Sequence, residues 1–473
     1  MTYHITLTDP MNGTRDREPI TFTLPEKLQE PLWWAITSED QRILCQRLTN
    51  ESTQNSTAFI ATVSFSGTLR MRLDRPLTAA EVGEVAGIHR LPGREKDCFV
   101  RLNTGCFDLE MCRGTAQGVG SSKWGLRHFR CLQDNVELLP SGNNAIGGFY
   151  GPFFTPENGL INPPEHTLVD IEILEEGPVY HHYRMHGTIP DGLLAELRGK
   201  HFTIDWKFSW NTPWFQRRYW VDDFSTVING RSVTNKITVG DEFESGPGKL
   251  LFDRFAAYGG TRYRAGDPYA EELVAMVAHT VTTSENQSPK FAEFREQLAD
   301  MASAHWDLYW RMFCRWEKVL DEAEIRERLG VVCARAHVRA DLNEREWRLT
   351  DSPVNVSAVP DETVFPGPAS KTVEYDSASG RAMIWWTSRP SGAFQIVQRR
   401  QSGWVNWGSN GENECPELPV GVDIKTACGI FADNWMQVAD NLETPPQAVL
   451  ISTPTGSSGH SFSPLLPQFT QPD

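Results

Sequence analysis

No run of about 18 apolar residues occurs in this 473-residue chain, so the sequence offers no membrane-spanning helix and no membrane partner is expected. Positive charge is also scarce. Forty-five Lys and Arg stand against 61 Asp and Glu, a formal charge of −16, which repels a phosphate backbone and argues against nucleic acid. Gly-x-Ser-x-Gly, His-Glu-x-x-His and Gly-x-Gly-x-x-Gly arrangements are missing, which removes the usual support for a serine hydrolase, a zincin or a dinucleotide-binding protein. The nine cysteines form no Cys-x-x-Cys pair. Scattered thiols in a reducing compartment are the expectation, with neither metal nor cofactor. The opening Met1-Thr-Tyr-His-Ile5 has neither the basic nor the apolar part of a secretory signal, and a cytoplasmic location is expected.

Apolar surface is not lacking. Hydrophobic residues make up 40% and charged residues 22%, the balance of a folded globular chain, and the length predicts more than one domain. Short strands separated by turns recur from residue 1 to about 260 without regular helices between them, and strands resume after about 380. Parallel strands would need helical crossovers, so the expected class is mainly β: an antiparallel β-sandwich or supersandwich. One long amphipathic helix is predicted over 286–330, where Phe291, Phe294, Leu298, Met301, Leu308, Met312 and Trp316 fall three or four residues apart or in step with that period. The predicted organisation is an N-terminal sandwich region over 1–115 and a central sandwich carrying the active-site face over 116–285. The helix at 286–330, a C-terminal β region over 331–451 and a flexible tail over 452–473 follow.

Sixteen tryptophans are many for this length. Indole offers a large apolar face with one polar handle, which suits stacking on sugar rings as well as core packing. The densest polar strand is Val179 to His186, where alternation places Tyr180, His182, Arg184 and His186 on one face. Imidazole titrates near neutrality and guanidinium forks a carboxylate, a combination that suits proton abstraction beside a carboxylate. His182 and His186 are too far apart along a strand for easy chelation, so no metal is assigned.

Further candidates for substrate contact lie in three other stretches. Between Gly142 and His166, an aromatic loop-like segment supplies Asn143, Asn144, Tyr150, Glu157 and His166. After a small-residue turn come Trp124 and His128, and the strand near 216–223 supplies Arg217 and Arg218 on opposite faces. Glu110, Glu157, Asp222 and Asp223 are the carboxylates that a glycosidase would draw on.

Glu175-Glu-Gly-Pro-Val-Tyr180, running into the alternating strand, and Arg15-Asp-Arg-Glu-Pro-Ile20 resemble segments of supersandwich, galactose-mutarotase-like carbohydrate-active enzymes similar to exo-acting rhamnogalacturonan lyases. That resemblance implies β-elimination beside a uronic acid. It departs from those lyases in having no room for their large helical toroid. The combined expectation is a polysaccharide or oligosaccharide lyase in which Arg184, with Arg217 or Arg218, neutralises the carboxylate. His182 or His186 then removes the proton, and Tyr150 or Tyr180 protonates the leaving oxygen. A glycoside hydrolase and a non-catalytic sugar-binding protein are the alternatives. An oligosaccharide is the expected partner, and the long helix would serve a homo-oligomer as its interface.

Overall fold

The computed structural model describes residues 2–115, 123–139, 146–150, 153–155, 159–161, 168–188, 199–221, 224–228, 231–235, 238–244, 254–258, 357–358, 363–364, 369–391, 397–399, 404–407, 421 and 423–453. The predicted helix over 286–330, most of the predicted tail, Asn143, Asn144, Glu157, His166, Asp222 and Asp223 lie outside them, as does the side chain of Tyr150.

Two compact units divide the chain, Met1–Val85 with Pro445–Asp473 and Ala86–Thr444. In the first, a seven-stranded antiparallel sheet runs in the order Thr14–Leu24, Thr57–Ser66, Arg42–Leu48, Leu32–Thr37, Thr68–Pro76, Thr2–Thr8, Gln447–Thr453. Alternation explains its core: Tyr3, Ile5 and Leu7 are buried on one face of the first strand, Ile20, Phe22 and Leu24 on one face of the second. Ser452 and Thr453, placed in the predicted tail, instead pair with Tyr3 and Thr2.

The second unit is a sandwich. A five-stranded sheet is ordered Val136–Glu137, Gly125–Cys131, Phe107–Cys112, Cys98–Asn103, His89–Leu91. Its middle strands flank residue 115, so the boundary expected there falls inside one sheet. A nine-stranded sheet is ordered Val169–Glu176, Tyr180–Thr188, His201–Ser209, Trp214–Val221, Asp423–Ile430, Arg381–Ser391, Ala369–Asp376, Arg254–Tyr258, Ser357–Ala358. Val100, Leu102, Leu109, Met111 and Phe129 from the smaller sheet meet Tyr183, Met185, Ile204, Trp206, Phe215, Tyr219 and Trp385 from the larger in one buried core. The ladders that join these strands are antiparallel, as expected.

Inside that core, Trp206 stacks on Phe208 and Phe215 with centroids 6.3 and 6.1 Å apart, and Trp124 stacks on Phe202 at 5.1 Å. Trp124, Trp206 and Trp385 are fully buried. Burial of each removes some 150–250 Å² of aromatic surface from water, so these indoles hold the sandwich together. A helix not predicted from the sequence, Trp435–Glu443, covers part of the outer face of the larger sheet, burying Trp435, Ala439 and Leu442 against Val373, Ile384 and Ala427.

Candidate functional site

Register in the larger sheet turns single residues into a row. Glu172 stands opposite Arg184, Arg184 opposite Asp205, Asp205 opposite Arg218, and Arg218 opposite Asp423, so five strands contribute alternating charges to the outer face. Opposed charges on neighbouring strands attract at side-chain distance.

Arg184 holds Asp205 through both prongs, Nε to Oδ1 at 2.6 Å and Nη2 to Oδ2 at 2.9 Å. Arg218 holds Asp423 in the same way, Nε to Oδ1 at 2.6 Å and Nη2 to Oδ2 at 2.5 Å. Gln216 adds a hydrogen bond to Asp423 at 2.9 Å. Burial alone would raise the Asp205 carboxyl, but hydrogen bonds from Arg184 and His182 outweigh it and draw the group down to about 2. Asp423 is likewise lowered, its burial outweighed by Arg218 and Gln216. Both stay ionised near neutrality.

Trp220 sits beside this row, half-buried, with the Arg184 guanidinium 5.9 Å and the Arg218 guanidinium 5.8 Å from its ring centre. Each arginine spends Nε and Nη2 on its aspartate. Among the described residues, neither Nη1 has a hydrogen-bond acceptor.

The expected face of the Tyr180–Thr188 strand is present, but its members differ. His182 lies 3.2 Å from Asp205 through Nε2, His186 is half exposed at 3.6 Å from Glu172, and Tyr180 is buried. On the opposite face, His181 is buried with Nδ1 2.6 Å from the Tyr183 hydroxyl. Burial lowers the His181 imidazole to about 4, although the Glu176 carboxylate nearby pulls the other way.

Arg217 and Arg218 part as strand alternation demands. Arg218 faces outward, while Arg217 is fully buried in the sandwich, donating to the Tyr219 hydroxyl at 3.2 Å and Thr426 Oγ1 at 2.9 Å, with Trp206 and Phe215 beside it. Gly147 passes over this arginine, and its carbonyl accepts from the Tyr219 hydroxyl at 3.2 Å. Arg217 therefore does not share the outer face with Arg184.

His128 and Trp124 belong elsewhere. Trp124 has its ring face taken up by Phe202 in the core. His128 is buried on the outer side of the five-stranded sheet, its Nε2 2.8 Å from Glu95 Oε1. Glu110, opposite His128 on the next strand, is fully buried and accepts the backbone N–H groups of Arg94 and Glu95 at 2.7–3.0 Å. Asp108 accepts from Arg94 Nη2 at 2.9 Å, Arg101 Nη2 at 2.7 Å and Arg130. This second cluster is internally neutralised and clamps the 92–97 loop.

Asp205 and Asp423 were missed in the sequence because their role depends on which strands lie side by side. Alternation in His201–Ser209 does place Asp205 outward with Thr203 and Lys207, a signal that could have marked it. Among the described residues no group of three or more His, Cys, Asp and Glu side chains is arranged to hold a metal ion.

No known protein family's sequence profile and no curated protein sequence matches this chain. Among solved structures, it is similar to an alpha-mannosidase from Enterococcus faecalis V583, with a TM-score of 0.44 and 10% identity over 95% of this chain and 46% of that one. A protein in the Glycosyl Hydrolase Family 38 from Enterococcus faecalis gives 0.45 and 9% over 95% and 47%. A galactose mutarotase-like protein from Clostridium acetobutylicum gives 0.34 and 8% over 73% and 98%. The chain spans just under half the length of the first two. Similarity at this level does not extend to activity.

Proposed function

We propose that this chain binds carbohydrate on the outer face of its nine-stranded sheet. Trp220 carries the reading: a partly exposed indole flanked by two guanidinium groups that carboxylates already hold in place. A sugar ring presents an apolar C–H face and a rim of hydroxyls. Indole suits the first, and the Nη1 donors of Arg184 and Arg218 with the Asp205 and Asp423 oxygens suit the second. Because both aspartates are pinned, little ordering cost remains for the ligand to meet.

The test is titration of the intact protein with neutral and uronate-containing oligosaccharides, followed by tryptophan fluorescence. Saturable quenching that disappears in Trp220→Ala supports the proposal. Saturable quenching that survives Trp220→Ala, or no response to any sugar, overturns it.

A catalytic reading rests on His182. With Asp205 beside Nε2, the other imidazole nitrogen is the one placed to take a proton, as a lyase would require of its base. The lyase also needs a cation for the uronate carboxylate, and here Arg184 and Arg218 could offer only Nη1, since Nε and Nη2 are engaged. A glycoside hydrolase needs a carboxyl held protonated near neutrality. Among the described residues, every carboxyl with a resolved shift moves downward: Asp9, Glu81, Asp108, Asp205 and Asp423. Of the carboxylates that the hydrolase reading draws on, Glu157, Asp222 and Asp223 lie outside the described residues. Ultraviolet absorbance of an unsaturated uronide that vanishes in His182→Ala would establish the lyase. New reducing ends without that absorbance would establish the hydrolase.

A further inference from the structure

Cys131 ends the Gly125–Cys131 strand of the five-stranded sheet, and Cys428 lies on the Asp423–Ile430 strand of the nine-stranded sheet. They are 297 residues apart in the chain, yet their Sγ atoms lie 2.7 Å from each other. Both residues are buried at 1% and 2% exposure. Carbon atoms in contact settle roughly 3.5–4 Å apart and a disulfide is roughly 2.05 Å long, so these sulfurs lie nearer than ordinary contact and need only a short approach to bond.

The surroundings hold the two strands in register. Gln133 Oε1 accepts the Ile430 N–H at 3.1 Å, and Gln133 Nε2 donates to the Ile430 carbonyl at 3.5 Å. Arg381, directly opposite Ile430, donates through Nε to Asp134 at 2.8 Å. The turn after Cys131 is thus tied on two sides to the strand carrying Cys428 and to its neighbour.

We propose that Cys131 and Cys428 form a disulfide that joins the two sheets of the sandwich. The oxidant is a disulfide of the glutathione type. One cysteine thiolate attacks it, forming a mixed disulfide and releasing one thiol. The second cysteine thiolate then attacks the protein sulfur of that mixed disulfide and releases the other thiol. Two protein thiols give up two protons and two electrons, and the oxidant is reduced to two thiols. Burial, followed by the contact with Cys131, holds the Cys428 thiol well above its ordinary value. Exchange therefore belongs to the folding or opened chain, and the bond once made is shielded from reductant. Both thiols are free in the structure, as scattered thiols were expected to be, and the proposal adds their oxidised form.

The full chain is unfolded with reductant, refolded with reduced and oxidised glutathione, unfolded again under alkylating agent and mapped by mass spectrometry. The expected result is one peptide pair joining residues 131 and 428, lighter than the two peptides by the mass of two hydrogens, lost on reduction and absent in Cys428→Ser. In that variant Cys131 becomes alkylated. Full alkylation of both cysteines in refolded protein, or linkage of either to another cysteine such as Cys98 or Cys112, overturns the proposal. Mapping the protein as purified gives a second reading that does not depend on refolding, and Cys428→Ala replaces the serine variant if that one fails to fold.

Discussion

Arg184 and Asp205 stand directly opposite each other on neighbouring strands, and the guanidinium grips both carboxylate oxygens. One side chain thereby becomes part of a row that reaches Asp423, far along the chain from Asp205. A charged group fixed this way keeps its direction, which a solvated lysine or arginine on a mobile stem does not.

Asp205→Asn should leave Arg184 with a neutral partner and lower stability by about 1.5–3 kcal/mol, the range for hydrogen bonds to charged groups. The carboxyl is depressed to about 2 in the folded chain. Its contribution is therefore complete above the unfolded value of about 4 and is lost as pH falls toward 2. Urea midpoints measured from pH 5 to pH 2 should drop more steeply in wild type than in Asp205→Asn, and parallel curves would contradict the assignment.

His181 works in the opposite sense. Burial keeps its imidazole neutral in the fold, at about 4, while the unfolded chain takes up a proton near pH 6.5. The unfolded state binds more protons between those values, so stability should decline as pH falls from about 6.5 to about 4. His181→Gln should flatten that segment of a melting-temperature profile while leaving the acid limb due to Asp205 in place.

Gly147 has φ of +90°, and a methyl added there would overlap Cη2 and Cζ2 of Trp206. Strain and overlap act together, so Gly147→Ala should cost about 2 kcal/mol or more. Chemical denaturation will show this, and an unchanged midpoint would mean that the segment above Arg217 yields easily.

Trp124 and Trp220 should separate core from surface. Trp124→Ala removes a fully buried ring stacked on Phe202 and should cost about 3–5 kcal/mol. Trp220→Ala should melt near wild type yet lose sugar-induced quenching. Equal destabilisation by both would remove the distinction.

Much of the sheet structure is legible from alternation. Thr57–Ser66, Thr68–Pro76, Val169–Glu176, Tyr180–Thr188, His201–Ser209 and Asp423–Ile430 all contain segments that period-two patterning or short apolar runs pick out. Phe107–Cys112 was harder, since all six residues are buried and Asp108 and Glu110 interrupt the apolar pattern while their partners come from other segments. Trp435–Glu443 did carry a helical signal, Trp435, Ala439 and Leu442 falling on one face, but it is short and follows a strand closely.

By itself, the sequence determined the antiparallel β class and the two faces of the Tyr180–Thr188 strand, because a strand's alternation is a property of its own residues. Only the tertiary structure decided that Arg217 is core and Arg218 surface, that Asp205 and Asp423 pin the outward arginines, and that Cys131 meets Cys428. Those relationships depend on register and sheet order, which strands distant in the chain settle together by burying apolar faces and pairing charges.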